Sequence, residues 1–415
     1  MATAFRLVFQ GSQEVPPKST AASGLGTVIF DPSTTTLSYD YTIFGIDFGD
    51  PFDSGTPQTV DTGDDVTGMH IHNAARGANG GIVLNLLPTS EDGSFAGAIN
   101  LDGSTTITGA WDPADASPTS INIFAMALTN AKIGKDFPLY FNVHTNEFSG
   151  GEIRAQFVAI ANDQNNVVNG TTGADSLPGL GGNDVVSGKA GNDELEGGEG
   201  NDTLNGGQGD DLLDGNNGSD TASYQNDGAV NVSLLLVGAQ NTGGAGNDTL
   251  VNIDNLTGSA IGGDNLIGDV NANVLAGLGG NDTLLGESGI DTLRGGLGKD
   301  FITGGADADV FDFNSKTESR KGAARDEIAD FSGSTGELDR IDLSTIDANS
   351  EKRGNQVFKF IGDNNFTKKA GQLNFIQDTI NGVTIVQGDI NGDRKVDFQI
   401  ELTGLHDLVA ADFLL

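Results

Sequence analysis

From Gly179 onward a nine-residue phrase recurs. Gly188-Lys-Ala-Gly-Asn-Asp193-Glu-Leu195-Glu is followed by Gly197-Gly-Glu-Gly-Asn-Asp202-Thr-Leu204-Asn and by Gly206-Gly-Gln-Gly-Asp-Asp211-Leu-Leu213-Asp. An acid stands at Asp175, Asp184, Asp193, Asp202, Asp211 and Asp220, always nine residues apart, and an aliphatic residue follows two places later at Leu177, Val186, Leu195, Leu204 and Leu213. An interruption at 224–257 holds one isolated copy, Gly243-Gly-Ala-Gly-Asn-Asp248-Thr-Leu250. The step then resumes through Asp264, Asn273, Asp282, Asp291, Asp300 and Asp309. A flexible linker would not hold such a register, so the segment is a structural array of stacked units. Gly-Gly-x-Gly supplies positive φ and close backbone approach for a tight turn. The apolar residue two places after each acid buries one side chain from a very short strand. Two phrases make one coil, so turns on one edge lie eighteen residues apart.

Such a coil cannot close on apolar burial alone. Between Thr171 and Asp300 the only aromatic residue is Tyr224. Ordering each residue costs about 1–2 kcal/mol of backbone entropy. From Thr171 to Val310 there are 22 acidic and 3 basic residues, within a chain of net charge −37. Stacked carboxylates and inward-turned carbonyls are hard oxygen donors, which suits several Ca²⁺ ions, and metal binding must supply folding free energy. The expected ligands are Asp184, Asp193, Asp202, Asp211, Asp220, Asp282, Asp291, Asp300 and Asp309, with the turn residues Gly191, Gly198, Gly200, Gly207, Gly209, Gly280, Gly289, Gly296, Gly298, Gly305 and Asp307. The strongest sites are expected where intact turns stack: Asp184 with Asp202, Asp193 with Asp211, Asp202 with Asp220, Asp282 with Asp300, and Asp291 with Asp309. Asn273 and the irregular Gly262-Gly263 weaken the pattern locally.

The phrase resembles the RTX, or hemolysin-type, calcium-binding nonapeptide repeat. That resemblance implies a parallel β-roll in a protein exported by a type I ABC machinery. The chain would thread unfolded where Ca²⁺ is scarce and close outside the cell, where millimolar Ca²⁺ matches weak extracellular sites of about 10⁻⁴–10⁻³ M. The absence of cysteine excludes disulfides and thiolate sites and is compatible with such an export route. The acidic excess excludes nonspecific nucleic-acid binding and argues against anionic membranes. No stretch approaches the ~18 apolar residues of a membrane span. The opening Met1–Gln10 reads as a strand rather than a signal peptide.

Residues 1–161 read as a separate all-β domain. Phe5, Leu7 and Phe9 alternate, as do Leu37, Tyr39, Tyr41 and Ile43. Further strands are expected at Gly26–Phe30, Val66–His72, Ile82–Leu87, Ser94–Leu101, Thr105–Trp111, Tyr140–Thr145 and Glu152–Val158, with turns at Asp31-Pro32 and Asp92-Gly93. Ser120–Ala131 fits either a short helix or a strand. About eight strands suggest an antiparallel sandwich. His70 and His72 share a strand face, and His144 on another strand could join them at a zinc or copper ion. A hydrogen-bonded structural cluster near Glu152 and Arg154 is the competing reading.

Gly11-Ser-Gln-Glu-Val-Pro-Pro17, Met69-His-Ile-His72, Gly77-Ala-Asn-Gly-Gly-Ile-Val83, Asn142-Val-His-Thr145 and Gly150-Gly-Glu-Ile-Arg-Ala-Gln156 resemble the landmarks of the chordin-type CHRD domain, in its order. The resemblance implies an immunoglobulin-like β-sandwich of extracellular binding proteins. The His-x-His strand is also similar to that of the copper–zinc dismutase sandwich, but that fold needs six histidines, and this domain has three and no cysteine.

Residues 313–415 follow a roll assigned to 162–312. Val310-Phe-Asp-Phe313, Asp326-Glu-Ile-Ala-Asp-Phe331, Asp339-Arg-Ile-Asp-Leu-Ser344, Phe358-Lys-Phe-Ile361, Ala370-Gly-Gln-Leu373 and Asp397-Phe-Gln-Ile400 resemble the C-terminal capping and export module of serralysin-type metalloproteases. So does the final Asp412-Phe-Leu-Leu415. The protease signature His-Glu-x-x-His is absent, so no protease activity is carried over. Asp389, Asn391, Asp393 and Asp397 have part of a calcium-loop spacing, but Arg394 and Ile400 stand where that loop needs Gly and Glu, so a hairpin turn competes with a weak Ca²⁺ site.

The expected whole is all-β: an N-terminal antiparallel immunoglobulin-like β-sandwich, a calcium-bound parallel β-roll and a β-rich cap. The expected function is that of a secreted, non-enzymatic calcium-binding protein presenting a binding or adhesion domain. Its partners would be the type I machinery and an extracellular protein, glycan or surface. A copper- or zinc-handling protein using the histidines, and a structural surface-layer or matrix protein, stand as alternatives.

Overall fold

The computed structural model describes residues 2–14, 17, 18, 20–46, 66–87, 96–100, 104–111, 124–145, 148, 149, 151–334 and 336–415. The expected Asp92-Gly93 turn, and residues Val15, Pro16 and Gly150 of the quoted motifs, lie outside them. The chain divides into two compact units, Met1–Gly170 with Asp175–Val186, and Thr171–Ala174 with Ser187–Leu415.

In the first unit, among the described residues, the alternating segments form one sheet of nine strands: β1 (Thr3–Gln10), β2 (Ser23–Asp31), β3 (Thr36–Phe44), β4 (Val66–Asn73), β5 (Gly81–Leu87), β6 (Ala96–Ile99), β7 (Thr105–Trp111), β8 (Asp136–Thr145) and β9 (Ile153–Asn162). Of the ambiguous segment Ser120–Ala131, residues Ala125–Thr129 form a short helix, and residues 120–123 lie outside the described residues. All pairs within this sheet are antiparallel, in the order β5-β4-β8-β9-β1-β2-β3-β7-β6. β3 and β8 are four places apart, about 19 Å on a flat sheet, yet the Tyr41 and Phe141 ring centroids are 5.2 Å apart. The sheet therefore curls over itself into two facing layers. The layering expected of a sandwich is reached with one continuous sheet. Phe5, Leu7, Phe9, Tyr39, Tyr41, Trp111, Phe141 and Phe157 fill the space between the layers. The alternation that places Met69, Ile71, Phe141 and Val143 in this core puts His70, His72, Asn142 and His144 on the other face of β4 and β8.

In the second unit, short parallel strands stack in two long rows. One row runs Leu204, Ala222, Leu256, Leu275, Leu293, Phe311, Ile341 and Phe413, each paired with the next in register. The facing row runs Val232, Leu266, Leu284, Ile302, Ile328 and Leu402, and a shorter one joins Leu195, Leu213 and Leu250. The segment 224–257 read as an interruption does not stop the ladder: Leu213 pairs with Leu250 and Ala222 with Leu256. Extra residues loop out while the edge keeps its rung. Val230, Val232, Leu234 and Leu236 alternate in sequence as a strand would, but the strand formed is only Asn231–Ser233, where Val232 takes a rung opposite Leu266, and Leu235 and Leu236 are exposed. At the C-terminal end Phe311 and Phe413 replace aliphatic residues, and the strands Gln372–Asp378, Val383–Asp389 and Phe398–Thr403 form an antiparallel meander joined to the ladder at Ile328. The tail Asp412-Phe-Leu-Leu is folded in as the last rung, with Phe413 opposite Ile341.

Candidate metal centres

The turns explain the glycines. Gly209, Gly218, Gly280 and Gly298, the fourth position of their phrases, have φ of +142°, +154°, +146° and +156°. A Cβ on any of them would overlap the carbonyl oxygen of Gly191, Gly200, Gly262 or Gly280 on the preceding coil. The second position is left-handed too, both at Gly198, Gly207, Gly296 and Gly305 and where Lys189, Asn216, Leu278 or Glu287 stands there. Gly191, Gly200 and Gly289 are also at positive φ. Asp307 occupies a fourth position at φ +83° and accepts the Gly289 N–H at 3.3 Å. The first position is different: a Cβ on Gly277, Gly286, Gly295 or Gly304 would run into the Oδ2 of Asp282, Asp291, Asp300 or Asp309. The Gly295 and Gly304 carbonyls of the next coil crowd the same space at Gly277 and Gly286. A carboxylate oxygen and main-chain carbonyls thus surround a cradle with no side chain in it.

Each aspartate is divided in use. Oδ1 accepts the N–H of the equivalent residue one coil back: Asp193 to Asp211 at 2.8 Å, Asp202 to Asp220 at 2.7 Å, Asp282 to Asp300 at 2.9 Å and Asp291 to Asp309 at 2.9 Å. Asp184 plays this part in the first unit, accepting from Asn166 at 2.6 Å. In Asp211, Asp220, Asp282, Asp291, Asp300 and Asp309 the other oxygen, Oδ2, is buried and accepts no hydrogen bond. A buried anionic oxygen without a donor is costly. Burial accordingly pushes Asp282 and Asp309 up to about 7 and Asp220, Asp291 and Asp300 to about 6. The N–H donors pull the other way without cancelling the shift. Hard, inward-facing oxygens at an eighteen-residue repeat fit Ca²⁺, which would supply the positive charge these Oδ2 atoms lack.

The rail is longer than the glycine pattern. Asp211 N–H donates to Asp248 at 3.1 Å and Asp220 N–H to Asp254 at 2.8 Å. Asp264 accepts from Val230 at 2.8 Å. Asp300 N–H donates to Asp326 and Asp309 N–H to Asp339, both at 3.0 Å. Asp326, pushed up to about 8, also has a bare buried Oδ2. Asp254, Asp326 and Asp339 stand outside the nine-residue register, and Asp264, though within it, was not among the expected ligands, because their coils lack the full Gly-Gly-x-Gly. The surviving signal is an acid two places before a buried aliphatic residue, as in Asp326-Glu-Ile328. Asn273 is locked differently: its amide donates to Asp254 O at 2.7 Å and its oxygen accepts from Asp269 at 2.7 Å.

In the loop after Val383–Asp389, Asp389 is buried and accepts backbone N–H groups of Gly392 at 2.7 Å, Arg394 at 3.0 Å and Asn391 at 3.2 Å. Asn391 accepts from Asp393 N–H, Asp393 from Lys395 N–H and Asp397 from Ile390 N–H, each at 2.8 Å. These oxygens organise the hairpin connection. His406 packs edge-on to Phe331 and meets the Thr403 carbonyl at 2.8 Å.

In the first unit, β4 and β8 bring the three predicted histidines together. Their ligand nitrogens all lie within 4.8 Å of one another, and no other group of three His, Cys, Asp or Glu of this kind occurs among the described residues. His70 and His144 Nε2 atoms are 2.9 Å apart. Burial, then repulsion from His144 and His72, lowers His70 to about 3; burial lowers His72 and His144 as well. All three rings are therefore neutral at pH 7. Glu152, offered as a neighbour in the competing reading, is engaged with Thr20 and Thr145 (2.7 Å).

The fold and the rail define a calcium-binding protein of the parallel β-roll class. More particularly, the chain matches the models of the CHRD domain over residues 5–157, of the RTX calcium-binding nonapeptide repeat over 160–195 and 187–222, and of the peptidase M10 serralysin C-terminal domain over 227–415, in that order. No curated protein matches it. Among solved structures, it is 27% identical to the AlgE6R3 subunit of the Azotobacter vinelandii mannuronan C5-epimerase, over 37% of this chain and 77% of that one, with a TM-score of 0.27. For the AlgE6R2 subunit of that epimerase the figures are 23% identity, 47% and 90% coverage, and 0.27. For the extracellular lipase LipA of Serratia marcescens they are 16%, 62% and 39%, and 0.21.

Proposed function

We propose that this is a secreted, non-enzymatic calcium-binding protein, exported unfolded by a type I machinery, whose roll closes on extracellular Ca²⁺ and presents the CHRD domain as a binding or adhesion module. The observation that carries the reading is the row of buried, unsatisfied Oδ2 atoms beside carbonyl-lined glycine cradles. With Ca²⁺ scarce the roll is penalised and the chain stays threadable; outside, occupancy of many sites drives closure by mass action. Export by this route is supported by the RTX repeats and the serralysin C-terminal match. No helix among the described residues is long and apolar enough to cross a membrane.

Hydrogen exchange on the full chain tests the reading. Amides of Ser187–Leu415 should gain protection cooperatively as Ca²⁺ rises toward millimolar, and Mg²⁺ should not substitute because it yields its waters reluctantly. Equal protection in chelator would refute it. Export is tested by expressing the chain with and without a type I exporter and assaying the medium.

A further inference from the structure

We propose that His70, His72 and His144 form a three-imidazole site for one zinc or copper(II) ion, on the face of β4 and β8 turned away from the aromatic core. The argument starts from which nitrogens are already used. His72 Nδ1 lies 2.9 Å from the Gly80 carbonyl and His144 Nδ1 2.9 Å from the Ser149 carbonyl. A carbonyl only accepts, so both Nδ1 atoms carry the proton, which leaves Nε2 as the ligating nitrogen of each ring. Backbone carbonyls that fix the tautomer in this way are the usual support of metal-ligating histidines.

His72 Nε2 is buried and has no hydrogen-bond partner. A purely structural cluster accounts for the 2.9 Å contact between His70 and His144 but leaves this nitrogen unexplained. An ion shared by the three rings accounts for both. Tetrahedral zinc with Zn–N of ~2.0–2.1 Å holds its nitrogens about 3.3 Å apart, a spacing reached by small ring rotations from separations within 4.8 Å. The rings have few other places to go. His72 is stacked on Tyr140 at 4.7 Å and 3°, and the Arg154 guanidinium covers Tyr140, with Cζ 3.3 Å from the ring centroid. The Arg154 Nη2 points at the Ala75 carbonyl at 3.3 Å. An all-imidazole donor set without carboxylate or thiolate favours zinc or copper over Ca²⁺ or Mg²⁺. Three protein ligands leave a fourth position for water or an exogenous group.

The test uses the full chain, stripped of metals and returned to excess Ca²⁺. Calorimetric titration with Zn²⁺ or Cu²⁺ should show one equivalent taken up, with affinity falling roughly 100-fold or more in His72→Ala and His144→Ala variants. Trp111 is the only tryptophan and lies in the core of this domain, so its emission reports whether each variant remains folded there. If a variant unfolds, Cu²⁺ bound to the unmodified chain decides: hyperfine coupling to imidazole nitrogens supports the site, and an oxygen-only spectrum overturns it. Uptake unchanged in the folded variants also overturns it. The calcium transition of the roll is read separately, so failure here leaves the calcium reading standing.

Discussion

The fourth-position glycines are the residues least open to change. Gly298 sits at φ +156° with the Gly280 carbonyl where its Cβ would go. Gly298→Ala should cost at least the ~1–3 kcal/mol of a strained backbone residue and raise the Ca²⁺ concentration at the midpoint of the circular dichroism transition. Glu287→Gly, at a second position with φ +78°, should leave that midpoint nearly unchanged. The aspartates set a pH dependence of definite sign. Folded carboxyls raised to about 6–8 at Asp220, Asp282, Asp309 and Asp326, against about 4 unfolded, stabilise the metal-free roll below pH 4 and lose that contribution as pH rises through 6 to 8. In chelator, β signal should therefore be stronger at pH 4–5 than at pH 8. With Ca²⁺ present the midpoint should move to higher Ca²⁺ as pH falls, because protons compete for the same oxygens. A calcium midpoint independent of pH would contradict the assignment of these acids.

At the level of the element, one coil buries little and the row buries a great deal. Leu284 is fully buried between Leu266 and Ile302, so Leu284→Ala should cost ~2–5 kcal/mol in denaturant unfolding at saturating Ca²⁺. The last rung is equally specific. Asp412 accepts N–H groups from Ser334 and Val409 at 2.7 Å, and Phe413 lies on Ile341. Deleting Asp412–Leu415 should expose the Arg340–Asp342 edge and release the protection of its amides before that of Thr283–Leu285, as read by hydrogen exchange.

For the whole molecule, the two units draw on different sources of stability. The first has a large aromatic core, including Phe5, Phe9, Tyr41, Trp111 and Phe141; the roll of the second has one buried apolar side chain per nine-residue phrase, two per coil, and a rail of acids. Chelation should thus abolish protection in Ser187–Leu415 while Trp111 emission stays unchanged, and a parallel loss of both would show that the first unit also depends on calcium.

The nine-residue register made the coil, its glycine turns and most acids of the rail legible, because each is dictated by local backbone geometry repeated many times. Period-two alternation likewise revealed the strands around Phe5 and Tyr41, since burial of one face is a local demand. The continuation of the ladder through 224–257 was not legible. There Asp248 and Asp254 reach their rungs by steps of 37 and 34 residues instead of 18, and only three-dimensional stacking says which residue completes a rung. The same holds for Asp326 and Asp339, for the curl that brings Tyr41 onto Phe141, and for the orientation of the His72 and His144 rings. Sequence specifies contacts within reach of a turn; contacts closed by loops of arbitrary length are decided by the folded chain, because loop entropy grows only logarithmically with length and leaves the register to packing.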